Sequence, residues 1–324
     1  MKRNLPIILG NLCGMLLPLL LVATTFTGCA KHSSEDTPDP VAIRLYTGIH
    51  TRAAVDAFDA TPVCIACGTS SGLYTTTWDG IATANEITLT PVRYYPEDGT
   101  SLYLRGYYPP VPMAADGTLT FTLTGDEDLL LSGEQNGSLS SPFTSDSKGT
   151  LIYNHLLTKL SFAIHLEGDD IPSLRVRSLH LNGLAGQITL ALQTGALSYG
   201  DATVPVPIYS AAADAEGLPF TDGVLQLPGY ALVQPQSDFT LDMVIAVDDD
   251  RSHDLEYHDL AISFEGGEGE GGIAYTVKVE LPTPTFPDPV PVRVTATIVA
   301  WEAGDSGSGC LLYTSPSPRD RQKS

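Results

Sequence analysis

The chain has 324 residues, and at about 150 residues per domain this length predicts two domains, each large enough to bury a core. The 38 acidic residues outnumber the 17 lysines and arginines and give a net charge of −21, which argues against a nucleic acid as a partner. With 24 prolines and 30 glycines, the sequence also excludes a bundle of long helices.

The chain begins with two basic residues and an apolar run over residues 5–22, the pattern of a secretory signal peptide, which we assign to residues 1–28. A membrane-spanning anchor is the alternative, but the run is short and is interrupted by Asn11 and two prolines. Residues 26–29, Phe-Thr-Gly-Cys, resemble a bacterial lipobox, which implies that Cys29 receives a diacylglyceryl group. Because each buried methylene contributes about 0.8 kcal/mol, several acyl chains would anchor the chain durably in a membrane.

Residues 29–40 begin at the lipobox cysteine and are mostly polar, with two prolines near their end. Such a composition lacks the apolar residues that a packed element needs. It predicts a flexible tether between the lipid and the folded part of the chain.

From residue 41 onward, apolar residues alternate with polar ones, as in strands with one buried and one solvent-facing side. Asp-Gly and Asn-Gly pairs separate these runs and predict tight turns between antiparallel strands. Short strands at this spacing are typical of β-sandwiches. We therefore predict an all-β fold of two sandwich domains, residues 41–150 and 151–304. The clearest alternating runs are 118–124, 160–167, 239–247 and 275–281.

Two of the five cysteines, Cys64 and Cys67, lie in the predicted folded part. A Cys-x-x-Cys pair can be a redox pair or half of a zinc site. No second cysteine pair accompanies it, and residues three apart in a strand point to opposite faces. We therefore interpret both cysteines as small residues of a strand.

Four other fragments resemble pieces of catalytic or metal-binding motifs. None has the partner motifs or the spacing that the chemistry requires. The sequence thus predicts no catalytic residue, no metal and no cofactor, and we expect a protein that is not an enzyme. The fragments are Gly-Asp-Ser-Gly at 304–307, Ser-x-x-Lys at 145–148, the acidic run 248–250 and the His-containing segment 253–258.

The last fifteen residues, 310–324, carry three basic residues in an otherwise acidic chain. They resemble the translated adapter sequence that ends some metagenome-derived reading frames, and a disordered basic tail is the alternative. We expect residues 305–324 to be a non-native tail and leave them out of the fold prediction.

The order of several segments, behind a lipobox, resembles the fimbrillin family (Mfa-like) of Bacteroidales. The similarity spans about residues 41–304, and its clearest single segment is His-x-x-x-Lys-Leu at 155–160. The other segments are the early strand 41–49 followed by Thr-Arg-Ala at 51–53, Tyr-Tyr-Pro-Glu-Asp-Gly at 94–99, Leu-Tyr-Leu-Arg-Gly-Tyr-Tyr-Pro at 102–109, Asp-Leu-Leu-Leu at 128–131, Thr-Gly-Ala-Leu at 194–197, and a late strand ending at Trp301.

The resemblance implies two transthyretin-like β-sandwich domains and a role in assembly rather than catalysis. It implies a fimbrial subunit or accessory lipoprotein that joins other fimbrial subunits by β-strand exchange and serves adhesion at the cell surface. The lipid on Cys29 would hold the protein in the outer membrane. The adhesion ligand is not implied.

In the shaft subunits of that family, a trypsin-like protease removes the lipidated segment together with the first strand. On this chain Arg52 is the candidate for proteolytic processing, and cleavage after it would release residues 29–52. Arg44 is a weaker candidate because it lies within the predicted strand. Alternatively, Arg52 is only an exposed strand-end residue, as expected for anchor-type members, which keep their lipid and are not cut.

A glycan-binding surface lipoprotein of a polysaccharide-uptake system is the alternative function. Such a protein would use exposed aromatic side chains as a binding platform. A hydrolase is the third interpretation, and it lacks a convergent acid–base pair. The aromatic candidates for the platform are Trp78, Tyr94, Tyr95, Tyr103, Tyr107 and Tyr108.

Overall fold

The computed structural model describes residues 39–50, 58–146, 149–167, 174–236, 238–282 and 292–299. The described residues from Pro40 onward belong to one compact unit. Within them, every regular element is a strand except for one 3-10 helix, Arg251–His253. The predicted all-β fold is therefore confirmed.

Nine strands lie in the first half of the described chain. Most are short, and several are bounded by the predicted turn residues. They are β1 (Leu45–His50), β2 (Thr61–Gly68), β3 (Thr76–Ala82), β4 (Glu86–Thr90), β5 (Leu102–Tyr108), β6 (Thr118–Thr122), β7 (Leu130–Ser132), β8 (Gln135–Gly137) and β9 (Thr150–His155).

Seven of these strands close into a barrel. They are hydrogen-bonded in the order β2, β3, β4, β1, β9, β7 and β5, and β5 then pairs with β2 to complete the ring. β8 continues the line of β7 and pairs with the first half of β5. Closure gives each of these strands a neighbour on both sides, so that the ring has no unpaired edge strand.

Side chains from all around the ring fill the barrel. Ile65, Leu104, Leu151 and Tyr153 are fully buried in its core. The Tyr153 ring needs Gly106 opposite it, because a Cβ at position 106 would lie 2.0 Å from the Tyr153 hydroxyl oxygen. The core is thus close-packed around a glycine in β5.

Thirteen strands lie in the second half of the described chain. They form two larger sheets and part of a third. They are β10 (Thr158–Glu167), β11 (Arg175–Ala185), β12 (Gln187–Ala191), β13 (Leu197–Tyr199), β14 (Thr203–Ser210), β15 (Leu218–Pro219), β16 (Val224–Gln226), β17 (Ala231–Val233), β18 (Thr240–Ala246), β19 (Leu255–Ala261), β20 (Ser263–Phe264), β21 (Ala274–Pro282) and β22 (Arg293–Val299).

The two larger sheets of the second half are built around long buried strands. One has the order β16, β10, β21, β22 and β20, with β17 also paired to β10. The other has the order β14, β11, β18 and β19, with β15 also paired to β11. Residues of both sheets, such as Phe162, Val277, Leu181 and Met243, are buried in one common hydrophobic core.

The third sheet joins the two halves of the chain. It has the order β13, β12 and β6, and β6 pairs with β12 over five residue pairs. Leu119 and Tyr107 from the first half are buried in the same core as Leu190 and Phe162 from the second half. The division into domains 41–150 and 151–304 stays a prediction, and the two ranges share a sheet and a core.

Two long strand pairs run parallel, which differs from the predicted antiparallel sheets. β1 pairs with β9 in parallel, and β10 pairs with β21 in parallel over nine residue pairs. The predicted alternation is present in these strands. An alternating pattern reports which face of a strand is buried, but it carries no information on the direction of the neighbour.

Candidate functional site: the first strand of the barrel

β1 lies between β4 and β9 and joins them. It pairs with β9 over five residue pairs, beginning at Tyr46 and Thr150. It pairs with β4 over only two residues, Leu45 and Tyr46. β1 is therefore paired along more of its length with β9 than with β4.

A cleft of about 230 Å³ lies beside the paired residues of β1 and β4. On the C-terminal side of the two paired residues, the Thr47 amide donates to the Asn85 carbonyl at 3.2 Å. On the N-terminal side the chain leaves β4, and the Ile43 amide donates to the Arg93 carbonyl at 2.8 Å instead. The cleft is lined by residues 43–46, residues 86–89 and Val92.

Alternate side chains of this segment point into the barrel. Ile43, Leu45, Thr47 and Ile49 are buried in or against its core, and Arg44 is exposed. This period of two is that of a strand with one buried face. Without the segment, the core would lose one wall.

Thr47 is the one polar side chain among these four. It is 6% exposed, and its hydroxyl has no hydrogen-bond partner among the described residues. Its neighbour in β9 is Leu151, which is fully buried and offers no polar group. In the sequence, the only signal of Thr47 is a threonine at an apolar position of an alternating run, which is too weak to mark it as a site residue.

A second cleft, of about 500 Å³, lies at the C-terminal end of β1. Ile49 and Phe58, which stand on either side of residues 51–57, both line it. The acidic loop 126–128 borders the cleft, and within it Asp128 lies 2.9 Å from Nδ1 of the buried His155. The remaining lining residues are Thr61, Tyr108, Pro109, Leu130 and Tyr230.

Cys64 and Cys67 lie in β2 and are buried on opposite faces, as predicted, and they form no disulfide. Burial raises the pKa of the Cys64 thiol, and burial raises that of Cys67 to about 11. Both thiols are therefore protonated at neutral pH, whereas the thiolate is the reactive form. Over the described ranges, no group of three or more His, Cys, Asp or Glu side chains is placed to hold a metal ion.

Residues 41–301 match the family model described as fimbrillin-like. The chain belongs to the fimbrillin-like family. Membership supports a structural role in a surface fimbrium rather than an enzymatic one. A search of curated protein sequences finds no match.

Solved structures show the same fold as this fimbrillin-like chain at low sequence identity. A candidate cell adhesion protein from Bacteroides uniformis is 16% identical, with a TM-score of 0.56 over 81% of this chain and 99% of that one. Another, from Bacteroides ovatus, is 14% identical, with a TM-score of 0.51 over 83% and 100%. At these identities the likeness concerns the fold alone.

Both site residues predicted for the fimbrillin-like chain, Cys29 and Arg52, lie outside the described residues. Arg52 is two positions after the end of β1, and Arg44 is the exposed residue directly before it. Lipid attachment and proteolytic processing stay predictions. None of the described segments contains a helix of the length and apolarity that a membrane crossing requires.

The aromatic side chains proposed as a glycan platform do not form one exposed surface. Trp78, Tyr95 and Tyr107 are buried. Tyr107 is fully buried, and its hydroxyl donates to the Val111 carbonyl at 2.8 Å. Of the six, Tyr94 is the most exposed, at 50%. The described residues therefore give the glycan-binding alternative no specific support.

Proposed function

We propose that this fimbrillin-like protein is a fimbrial subunit or accessory lipoprotein that joins its neighbours by exchange of β1. The observation that carries the proposal is the position of β1, an N-terminal strand whose removal would separate β4 from β9. The remaining strands of the barrel are held to each other by their own pairings. β1 could therefore be removed without breaking the pairings among the other strands of the barrel.

Removal of β1 would leave a groove that favours an incoming strand. Neighbouring strands lie about 4.8 Å apart, so β4 and β9 would face each other across a gap of one strand width. Both edges would expose unpaired backbone groups, and the core at Leu151 would lose its cover. An extended segment of another subunit would pair with both edges and cover the core, which is β-augmentation.

Processing at Arg52 would release β1 without cutting any other described strand. Residues 51–57 connect β1 to the stretch before β2, so a cut there separates residues 29–52 from the rest of the barrel. The lipid on Cys29 would leave with β1, and the processed subunit would depend on its neighbours for anchorage. In a member that is not cut, the same lipid would hold the subunit in the outer membrane.

Arg52→Ala tests the proposal in the native host. We expect surface extracts of the parent to contain laddered multimers on unheated gels, with an N-terminus at Ala53. Arg52→Ala should abolish the ladder, because a trypsin-like protease requires a basic residue before the cut. Arg44→Ala removes the exposed arginine before β1 and is the matched control, which should keep the ladder.

N-terminal sequencing of the multimers provides the decisive comparison. Multimers that begin at Cys29 in the parent would contradict processing at Arg52. Loss of the ladder in both variants would indicate that the substitutions disturb β1 itself. It would then not show that Arg52→Ala blocks cleavage.

A further inference from the structure

β1 carries one residue that fits its position poorly. The Thr47 hydroxyl is buried beside Leu151 and has no partner among the described residues. A buried hydroxyl that gives up its bonds to water without replacement destabilises the folded state. A valine would present a methyl group in the same place and avoid this cost. A strand with an aliphatic residue at this position would therefore bind the barrel more tightly than β1 does.

Two further features weaken the hold on β1. Gly48 brings no side chain to the strand and loses more backbone freedom on folding than any other residue type would. The edge towards β4 is paired over only two residues, with one further backbone hydrogen bond at Thr47, and the 230 Å³ cleft lies beside it. Val92, at the rim of that cleft, is 55% exposed. All three features concern the same strand.

We propose that Thr47 makes β1 the weaker occupant of its place in the barrel, and that the partner strand which takes this place carries a β-branched aliphatic residue at the position of Thr47. The inference rests on the proposed function, since it names the chemistry of the strand that is exchanged. The partner is an extended segment with apolar residues at the four alternate positions of Ile43, Leu45, Thr47 and Ile49. Its advantage at one position favours the incoming strand over the resident one.

Thr47→Val in the uncut chain tests the first half of the proposal. We expect the melting temperature to rise by about 2–4 °C, because the buried hydroxyl is removed and the shape is kept. The control is Thr77→Val, the same substitution at an exposed position of β3 away from the cleft, which should leave the melting temperature unchanged. An unchanged melting temperature for Thr47→Val, or an equal rise for both variants, would overturn the proposal.

The same test extends to exchange in a full-length chain that carries a specific protease site in place of residues 51–57. After cutting, the chain is mixed with equal amounts of two synthetic peptides, residues 41–50 and the same peptide with Thr47→Val. We expect mass spectrometry of the retained peptide to favour the valine form about tenfold. Equal retention, or uptake of neither peptide, would overturn the proposal.

These measurements need no polymer, so the two proposals fail separately. Normal polymers together with an unchanged melting temperature would reject the weak-strand proposal and keep the proposed function. The opposite outcome is a raised melting temperature and selective peptide uptake without polymers in the native host. It would reject fimbrial assembly and keep the proposal that the barrel prefers an aliphatic residue at the position of Thr47.

Discussion

At the scale of single residues, Glu134 ties the turn after β2 to the start of β8. Its carboxylate accepts hydrogen bonds from the Ser71 hydroxyl at 2.6 Å, the Gly72 amide at 2.8 Å and the Tyr74 hydroxyl at 2.6 Å. Partial burial by itself raises the pKa of Glu134, but these donors favour the charged form and bring the pKa below its ordinary value. The ionised form is therefore part of the folded structure.

Glu134→Gln tests this contribution through its pH dependence. Because the pKa is lower in the folded state, the carboxylate stabilises the fold above its unfolded pKa, and the stabilisation is lost as the pH falls through the folded pKa. We expect the variant to unfold at lower denaturant concentration than the parent at neutral pH. The difference should shrink as the pH falls through the folded pKa of Glu134, because the parent carboxylate is then protonated too. A difference that does not change with pH would contradict this assignment.

Gly106→Ala tests the packing of the barrel core. A Cβ at this position would lie 2.0 Å from the Tyr153 hydroxyl oxygen, so β5 or the ring must move. We expect a loss of about 1–3 kcal/mol in the free energy of unfolding, measured by denaturant titration. Gly133→Ala is the matched control, because a Cβ there meets no atom within 4 Å, and its stability should be close to that of the parent. Equal losses in both variants would contradict the packing argument.

At the scale of strands, the sequence predicts which face of a strand is buried better than it predicts which strands pair. The alternating runs 160–167, 239–247 and 275–281 match β10, β18 and β21 within a few residues. The closure of the ring by β2 and β5, and the parallel pairing of β1 with β9, could not be predicted. Alternation reports burial, whereas pairing depends on which edges remain free after the rest of the sheet has formed.

The candidate site shows the same limit. The family resemblance marks the first strand but does not assign its buried face, which the structure places at Ile43, Leu45, Thr47 and Ile49. The missing partner of the Thr47 hydroxyl depends on Leu151, which comes from a strand about a hundred positions away. The short pairing of β1 with β4, over two residues, is likewise visible only in the three-dimensional structure.

At the scale of the whole molecule, Arg105 connects the two halves of the chain by hydrogen bonds. Its guanidinium, on β5, donates to the carbonyls of Leu192 and of Gln193, the latter at 3.1 Å, in the turn after β12. Its Nε also donates to the Ser132 carbonyl at 3.0 Å. Together with the pairing of β6 and β12, these bonds make the barrel and the second-half sheets share backbone contacts as well as a core.

Calorimetry tests whether the halves unfold together. We expect a single transition, because neither half can open without exposing the shared core. Arg105→Met keeps the aliphatic stem and removes the donors, and we expect it to lower stability by about 1.5–3 kcal/mol without splitting the transition. Two separate transitions in the parent chain would contradict a shared cooperative unit.

The pairing of β1 with β9 also bears on the order in which the protein folds. Tyr46 pairs with Thr150, so the second edge of β1 is absent until about a hundred further residues have been synthesised. Contacts between residues this far apart in sequence form slowly, because the intervening chain must first be brought together. We therefore expect β1 to be the last strand to enter the barrel, although it is the first to leave the ribosome. In the proposed exchange, a strand that inserts late into an otherwise complete ring would leave behind a ring that is already folded.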